Sequence, residues 1–240
     1  MDEFVTRAHI SSVDFAQGAL LLVDKPEGWT SFDVVNKIRG TIRRVYNLQK
    51  IKVGHAGTLD PMATGLLLIC TGKWTTKLSE FQGQDKEYSG VMTLGATTAS
   101  YDKETPAENH KPFDHITEVS IKEAAMRFVG EIDQVPPIYS AIKVEGRPLY
   151  KSARKGQDVE ITLRRIIIHQ FVIVSVDLPL VHFKVTCSKG TYIRSLVHDM
   201  GQMLRCGAYL SALRRTRIGA YNVEDAWKVE ELVEAMEARE

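Results

Sequence analysis

The chain has 240 residues, of which 44% are hydrophobic and 25% are charged, and its net charge is +1. This composition is typical of a soluble globular protein, and no apolar run reaches the roughly 18 residues that a membrane helix requires. The three cysteines, Cys70, Cys187 and Cys206, lie far apart and are odd in number. They predict neither a disulfide framework nor a zinc site, so we expect a cytoplasmic protein without a structural metal.

Basic residues are concentrated in the middle of the chain. Residues 137–219 contain 14 Lys and Arg against 5 Asp and Glu, whereas residues 220–240 contain 2 against 7. A surface that binds a polyanion needs such a surplus, but Lys and Arg also serve simply to solvate a surface. Charge alone leaves both interpretations open.

The first half of the chain predicts two buried strands and a capped helix. Residues 1–18 have no clear period and are expected to form a loosely held leader. "ALLLVDKPEG" and "GLLLICTG" are short apolar runs bounded by turn residues, which is typical of buried strands. Between them, Thr30 and Asp33 have the spacing of a capping box and predict the start of a helix. "KEYSGVMTLGATTASYD" alternates and predicts a strand at an exposed edge, followed by a loop.

The second half adds three helices, a basic segment with a further short helix, and two long strands. A helix is expected from Ser120, capped with Glu123, to Gly130. "VPPIYSAIKVEGRPLYKSARKG" predicts an extended segment, a basic arm and a short helix. "ITLRRIIIHQFVIVSVDL" and "VHFKVTCSKG" follow as strands, "TYIRSLVHDMGQML" as a helix, and "NVEDAWKVEELVEAMEA" as a capped acidic helix. The order predicts one α+β domain around a largely antiparallel sheet.

The segment "GHAGTLDPMATG" holds one aspartate, Asp60, between a leucine and a proline. The proline disfavours helical dihedrals at Asp60, and Gly54 and Gly57 permit tight turns. An aspartate held in this way is either a turn residue or a working carboxylate. The glycines do not fit the P-loop or dinucleotide patterns, and His55 with Asp60 has no recognised metal-ligand spacing.

Six blocks of the sequence, taken in order, resemble the TruB-type tRNA pseudouridine synthases, the family that isomerises uridine 55 in the T loop of tRNA. The blocks are "LLVDKPEGWTSFDVV", "GHAGTLDPMATGLLLI", "KEYSGVMTLGATT", "VPPIYSAIKVEGRPLYKSAR", "CSKGTYIRSLVHDMG" and "LRRTRIGAY". The resemblance runs from about Ala19 to Trp227. It implies the pseudouridine-synthase fold, a mixed, largely antiparallel sheet with flanking helices around a central active-site cleft.

The resemblance also implies the catalytic residues. Asp60 corresponds to the nucleophile, Arg194 to the arginine that pairs with it, and Tyr88 to the tyrosine that stacks on the target base and assists removal of the C5 proton. Whether the carboxylate adds to C6, attacks C1′ or promotes elimination at the ribose is left open. The reaction needs no cofactor and no metal.

Further residues are implied for binding the substrate. Lys25 and Pro26 shape the wall of the active site, His55 helps to hold flipped-out nucleotides, and Tyr192 and Leu213 line the pocket. The basic arm is expected to contact phosphates of the T stem-loop through Lys143, Arg147, Lys151, Arg154 and Lys155. The "RRTR" run from Arg214 to Arg217 is a further contributor to this contact.

The expected domains are a leader (1–18), a catalytic domain (19–227) with an inserted RNA-gripping lobe (86–135), and an acidic helix (228–240) without a separate PUA domain. Ala56 stands where the family often has threonine, and "TTASYDKE" lacks a glycine common after its aspartate. We expect a monomer that needs no protein partner. The alternatives are an RNA-binding or tRNA-folding protein with secondary catalysis, and a guide-RNA-dependent relative. Asp60 with Arg194 favours catalysis, and guide-dependent relatives usually carry further basic extensions.

Overall fold

The computed structural model describes residues 4–139 and 162–238, together with the backbone of 143–144 and 147–148. The helices are α1 (Ser31–Val45), α2 (Leu78–Gly83), α3 (Glu118–Met126), α4 (Ile193–Met203) and α5 (Val229–Glu237). The strands are β1 (Leu20–Lys25), β2 (Val53–His55), β3 (Thr64–Thr71), β4 (Lys86–Leu94), β5 (Thr97–Thr98), β6 (Ala107–Glu108), β7 (Gly130–Gln134), β8 (Lys143–Val144), β9 (Arg147–Pro148), β10 (Arg164–Asp177), β11 (Leu180–Cys187), β12 (Ala208–Ile218), β13 (Tyr221–Asn222) and β14 (Trp227–Lys228). Within these ranges no helix combines the length and apolar character needed to cross a bilayer.

The chain divides into two compact units. The first consists of Met1–Tyr88 and Leu213–Glu240, and the second of Ser89–Ala212. The unit boundaries fall inside β4 and β12, so each of these strands contributes residues to both units. The domain boundaries expected from the sequence, including the lobe at 86–135, stay predictions.

The sheet of the first unit is covered on both faces. β1 pairs antiparallel with β3 and parallel with β14, and β12 pairs parallel with β3. Leu21 and Val23 pack against α1 and α5, whereas Leu20 and Leu22 face the opposite side with Phe81. Because both faces are buried, the strands are continuous apolar runs rather than alternating ones.

Helix α1 begins as the sequence predicts. The Thr30 hydroxyl accepts a hydrogen bond from the Asp33 N–H (3.1 Å), and the Asp33 carboxylate accepts one from the Thr30 N–H (2.8 Å). This reciprocal pair satisfies two backbone donors that the first turn would otherwise leave without a partner. The apolar stripe of α1, formed by Val34, Val35, Ile38 and Ile42, is buried against the sheet. The capping box is therefore confirmed.

The prediction of a loosely held leader is wrong for residues 4–18. Val5, Ile10 and Phe15 are buried in the core of the first unit. The Val5 carbonyl also accepts a hydrogen bond from the Trp227 indole (3.0 Å), and the Val5 N–H donates to Leu20 (2.9 Å). Three anchors spaced five residues apart match neither the helical nor the strand period, so pattern analysis misses them.

The second unit is built around an antiparallel sheet. β10 pairs with β11 and with β7, and β4 lies between β11 and β12 rather than at an edge, so the predicted edge strand is wrong. Buried and half-buried positions alternate along β4. In the sequence this alternation looks the same as that of a strand with one face exposed to solvent.

Two predicted helix starts need correction. Helix α3 is capped by Thr117 with Ser120 as its partner, three residues before the predicted cap, and Gly130 begins β7. The C-terminal helix begins at Val229 without a side-chain cap, because Asn222 belongs to β13. The α+β class and the mixed, largely antiparallel sheet are confirmed.

Candidate active site

The Asp60 loop joins β2 to β3, and it is fixed on both sides of the aspartate. The Ser31 hydroxyl accepts a hydrogen bond from the Leu59 N–H (2.8 Å) and donates to the Leu59 carbonyl (3.2 Å). On the other side, the Pro61 carbonyl accepts from the Gly28 N–H (2.8 Å). The Asp60 carbonyl itself accepts from the Ala63 N–H (3.0 Å). The backbone of Asp60 is therefore tied to the first turn of α1 and to the turn before it.

Lys25 closes this arrangement from the end of β1. Its side chain is fully buried, and its ammonium donates to the carbonyls of Pro26 (2.8 Å), Trp29 (2.6 Å) and Pro61 (3.3 Å). Burial lowers the pKa of Lys25 from 10.5 to about 8, although the negative charge of Asp60 raises it. Lys25 is thus not a solvated surface lysine but a positive charge that holds the turn around Asp60.

Arg215 supports the same loop from β12. Its side chain is buried, and its guanidinium donates to the carbonyls of Leu66 (2.8 Å) and Gly57 (3.1 Å). The backbone of Arg215 passes close to Gly65. A Cβ on Gly65 would lie 2.3 Å from the Arg215 carbonyl oxygen, so only glycine fits here. The φ of Gly65 is also +103°, a conformation that favours glycine.

The predicted RNA contact through the "RRTR" run is wrong for Arg215. Its guanidinium is committed to the Asp60 loop and has almost no exposed surface. Arg214 binds both carboxylate oxygens of Asp24 (2.9 and 2.7 Å), and Arg217 donates to the Gly219 carbonyl (2.9 Å). The sequence shows the positive charges of this run, but it does not show which of them are buried.

The first unit also contains three further residues that the sequence predicts for the active site. His55 ends β2, Tyr88 is a buried residue of β4, and Leu213 is half-buried in β12. Burial, together with the nearby charge of Arg215, lowers the pKa of His55, although a hydrogen bond to the backbone of Gly57 raises it. The imidazole is therefore neutral at pH 7 and suited to hydrogen bonding. No group of His, Cys, Asp and Glu suited to a metal ion occurs in the described part of the chain.

Arg194 lies in the first turn of α4 in the second unit, where it is almost completely buried. Its guanidinium donates to the carbonyls of Ser100 (3.1 Å) and Tyr139 (3.0 Å). It also forms an ion pair with the fully buried carboxylate of Asp102, at 3.4 Å. A planar guanidinium held by two carbonyls and a carboxylate has one orientation. The predicted partnership of Arg194 with Asp60 joins the two units and stays a prediction.

Asp102 is the residue that the sequence analysis missed. Its carboxylate accepts hydrogen bonds from the Ser100 hydroxyl (2.5 Å) and from the Glu104 N–H (2.9 Å). In the sequence, Asp102 lies within a run of hydroxyl residues, "TTASYDKET". Such a run is typical of a turn in which the aspartate side chain bonds to the backbone of the turn itself. That signal gave no indication that the turn would supply a counter-charge to Arg194.

The start of α4 is fastened by neighbouring residues. The Gln134 side chain accepts from the Tyr192 N–H (2.8 Å) and donates to the Tyr192 carbonyl (3.0 Å). One helical turn beyond Arg194, His198 stacks on Tyr101 with ring centroids 3.8 Å apart. Tyr101 is the residue before Asp102, so both members of the buried ion pair are braced by adjacent contacts.

The basic arm is described only in part. The backbones of Lys143 and Arg147 belong to the short ladder of β8 and β9. Lys151, Arg154 and Lys155 lie outside the described residues. The predicted role of the arm in RNA binding stays a prediction.

Comparison with known proteins gives the same family over most of the chain. Residues 43–193 match the model of the TruB family pseudouridylate synthase N-terminal domain, and residues 194–240 match that of the tRNA pseudouridylate synthase B C-terminal domain. A tRNA pseudouridine synthase B from Flavobacterium johnsoniae is 54% identical over 89% of this chain and 93% of its own length. One from Phocaeicola vulgatus is 48% identical over 95% and 97%.

Two solved structures share the fold. The crystal structure of a Cbf5-Nop10-Gar1 complex matches with a TM-score of 0.70 and 30% identity, over 93% of this chain and 56% of that one. An H/ACA RNP bound to a substrate RNA containing 2′-deoxyuridine matches with a TM-score of 0.66 and 28% identity, over 95% and 54%. The chain thus spans little more than half the length of these two structures' chains. With curated relatives matched over almost their whole length, the chain belongs to the TruB family of pseudouridylate synthases.

Proposed function

We propose that this chain isomerises uridine 55 to pseudouridine in the T stem-loop of tRNA, with Asp60 as the nucleophile. The observation that carries the proposal is the immobilised Asp60 loop, which Ser31, Lys25 and Arg215 hold from three sides. A turn residue with no chemical role would not need a buried ammonium and a buried guanidinium to fix its neighbours. The names of the relatives at 54% and 48% identity support the choice of tRNA as substrate.

The reaction is an isomerisation, so its atoms balance without a co-reactant. The bond from C1′ to N1 breaks, the base rotates and C1′ bonds to C5. C5 then loses its proton to solvent and N1 gains one, so the base keeps its composition. An aspartate carboxylate is ionised at neutral pH and can serve as a nucleophile. The buried ammonium of Lys25 lies close enough for its charge to interact with that of Asp60. No step requires a metal or an organic cofactor.

The target base must leave its stack before the carboxylate can reach it. Enzymes that act on a base generally extrude it, and RNA loops release their bases more easily than duplexes do. We assign to Tyr88 the stacking of the extruded base and to Arg194 the electrostatic support of Asp60. Lys25 and Pro26 form the wall of the pocket, while the neutral His55, with Tyr192 and Leu213, contacts the displaced nucleotides. Each assignment follows the family pattern and is part of the proposal.

We further propose that the protein acts as a cytoplasmic monomer without a protein partner and holds the T stem-loop through the basic arm. An RNA-binding or tRNA-folding protein would gain nothing from a carboxylate fixed in this way. Catalysis is therefore the function that the geometry favours.

Two tRNA transcripts test the proposal. An unmodified transcript is incubated with the protein and its pseudouridines are mapped by mass spectrometry after chemical labelling, beside a transcript in which U55 is replaced by C. We expect one pseudouridine, at position 55, in the first transcript and none in the second. Absence of pseudouridine from both, or the same modification at another position in both, would overturn the proposal.

A further inference from the structure

A second basic surface lies in the first unit, apart from the basic arm. Between Asp33 and Asp60 the sequence contains six Lys and Arg and no carboxylate. Four of these cations line an open pocket of about 560 Å³ together with one amide and one apolar side chain. We call it the α1 basic pocket, and its lining residues are Arg39, Arg43, Gln49, Lys50, Ile51 and Lys52.

The pocket rests on a rigid frame. Arg39 and Arg43 are four residues apart on α1, so they lie on the same side of the helix, beside its buried stripe. In the segment that follows, Leu48 and Ile51 pack against the core. The Leu48 N–H donates to the Arg43 carbonyl (3.0 Å) and the Lys52 carbonyl accepts from Gly72 (2.9 Å). The chain is thus fastened while its polar side chains face outward.

In the described part of the chain, no carboxylate pairs with the cations of the pocket. Within the described residues, Arg43, Lys50 and Lys52 form no ion pair, and Arg39 contacts the Asn36 amide oxygen and the Phe32 ring. Arg44, which does not line the pocket, is by contrast paired with Glu237. Like charges one helical turn apart repel each other, so this arrangement is unfavourable unless an anion neutralises it. Surface lysines and arginines that serve only solubility would not need to converge on one pocket.

We propose that the α1 basic pocket binds phosphates of the tRNA backbone, as an RNA contact in addition to the basic arm. The choice of tRNA rests on the proposed function. Guanidinium groups match phosphate oxygens in two-point contacts, and lysines add charge without directional demands. The segment that carries Lys50 and Lys52 runs directly into β2 and the Asp60 loop. RNA bound there would be held by the same rigid frame that positions the carboxylate.

A double charge reversal, Arg43→Glu with Lys50→Glu, tests the pocket. Both side chains are exposed, and neither is placed in the catalytic machinery. The matched control is Lys73→Glu with Lys228→Glu, two exposed lysines of the same unit that do not line the pocket. The dissociation constant for an unmodified tRNA transcript is measured between about 50 and 300 mM KCl, a range in which phosphate contacts respond strongly to salt.

We expect the pocket variant to bind tRNA about tenfold or more weakly at low salt. We also expect the slope of log Kd against log salt to fall by about two, because two phosphate contacts are lost. The control should stay close to wild type. A Kd and a slope equal to those of the control would overturn the proposal and leave the pocket a solvated surface.

Two further measurements distinguish a loss of phosphate contacts from misfolding of the variant and from failure of the proposed function. The neutral variant Arg43→Gln with Lys50→Gln should show the same loss of slope with less disturbance of α1, and an unchanged slope counts against the proposal. At saturating tRNA the pocket variant should retain the wild-type kcat while its KM rises. Because binding does not require chemistry, a protein that forms no pseudouridine would refute the proposed reaction without affecting this test.

Discussion

At the scale of single residues, buried positive charges serve as structural clamps around Asp60. Lys25 and Arg215 both donate to backbone carbonyls of the loop or its flanks, and both lie where water cannot replace them. Buried charges are costly unless they are paired and hydrogen-bonded. The cost is offset here by carbonyl acceptors and by the neighbouring carboxylate, and the result is a rigid loop.

The altered pKa of Lys25 predicts an alkaline limit to activity. Its pKa of about 8 means that the ammonium loses its proton above pH 8 and the loop loses its charged clamp. We expect kcat/KM of the wild type to fall at alkaline pH with an apparent pKa near 8. Lys25→Met should be less active at every pH and should not show this alkaline decrease. The same decrease in Lys25→Met would contradict the assignment to Lys25.

The lowered pKa of Lys25 affects stability and activity in opposite directions as the pH rises. Between pH 8 and 10.5 the folded protein binds fewer protons at Lys25 than the unfolded chain does, because its pKa is lowered. The penalty for burying the charge is therefore present below pH 8 and disappears as the pH rises through this window. The contribution of Lys25 to the free energy of unfolding increases while activity decreases.

The buried pair of Arg194 and Asp102 predicts a stability effect within the second unit. Asp102→Asn keeps the shape of the side chain but removes the negative charge that lies 3.4 Å from the Arg194 guanidinium. Removing one partner of a buried ion pair typically costs about 3 kcal/mol or more. We expect the free energy of unfolding, measured by urea titration, to fall by that amount. Asp114→Asn, which changes an exposed aspartate of the same unit, is the control. Equal midpoints for the two variants would contradict the structural role of the pair.

At the scale of elements, α1 links the fold to the site. Its first turn carries Ser31, which fixes Leu59, and its buried face packs on the sheet. The sequence predicted the capping box and the helix correctly because these features depend on local spacing. It did not predict that Thr117 caps α3, because Ser120 and Glu123 offered an equally regular spacing three residues later.

The cap of α1 can be tested by a conservative series. Thr30→Ala removes the hydroxyl that accepts from the Asp33 N–H, and we expect it to lower the free energy of unfolding by about 1 kcal/mol. Thr30→Ser retains the acceptor and should stay near wild type in the same urea titration. If the serine variant loses as much as the alanine variant, the hydroxyl is not the stabilising group.

At the scale of the whole molecule, the sequence was informative about the strands and the family and less so about burial. The strands at Leu20–Lys25 and Thr64–Thr71 follow from apolar runs, and Asp60 follows from the family blocks. The roles of Arg215 and Asp102 depend on contacts between segments far apart in the chain, with Leu66 for the first and Arg194 for the second. No local pattern encodes such contacts, so only the structure shows them.

The uneven distribution of charge along the whole chain predicts a salt-sensitive grip on RNA. Lys151→Glu with Arg154→Glu removes two positive charges from the basic arm. We expect weaker tRNA binding and a slope against log salt that is smaller by about two. The Lys73→Glu with Lys228→Glu variant again serves as the matched control. Affinity and slope that stay at the control values would show that the arm does not touch the phosphates.

Asp60→Asn shows whether the Asp60 carboxylate performs the chemistry. Tritium release from tRNA labelled at uridine C5 is measured beside the dissociation constant for the same tRNA. Asparagine is nearly the same size but is not a nucleophile, so we expect turnover to fall at least about 1,000-fold while the dissociation constant stays within about threefold of wild type. Tritium release at the wild-type rate would show that Asp60 is not the nucleophile.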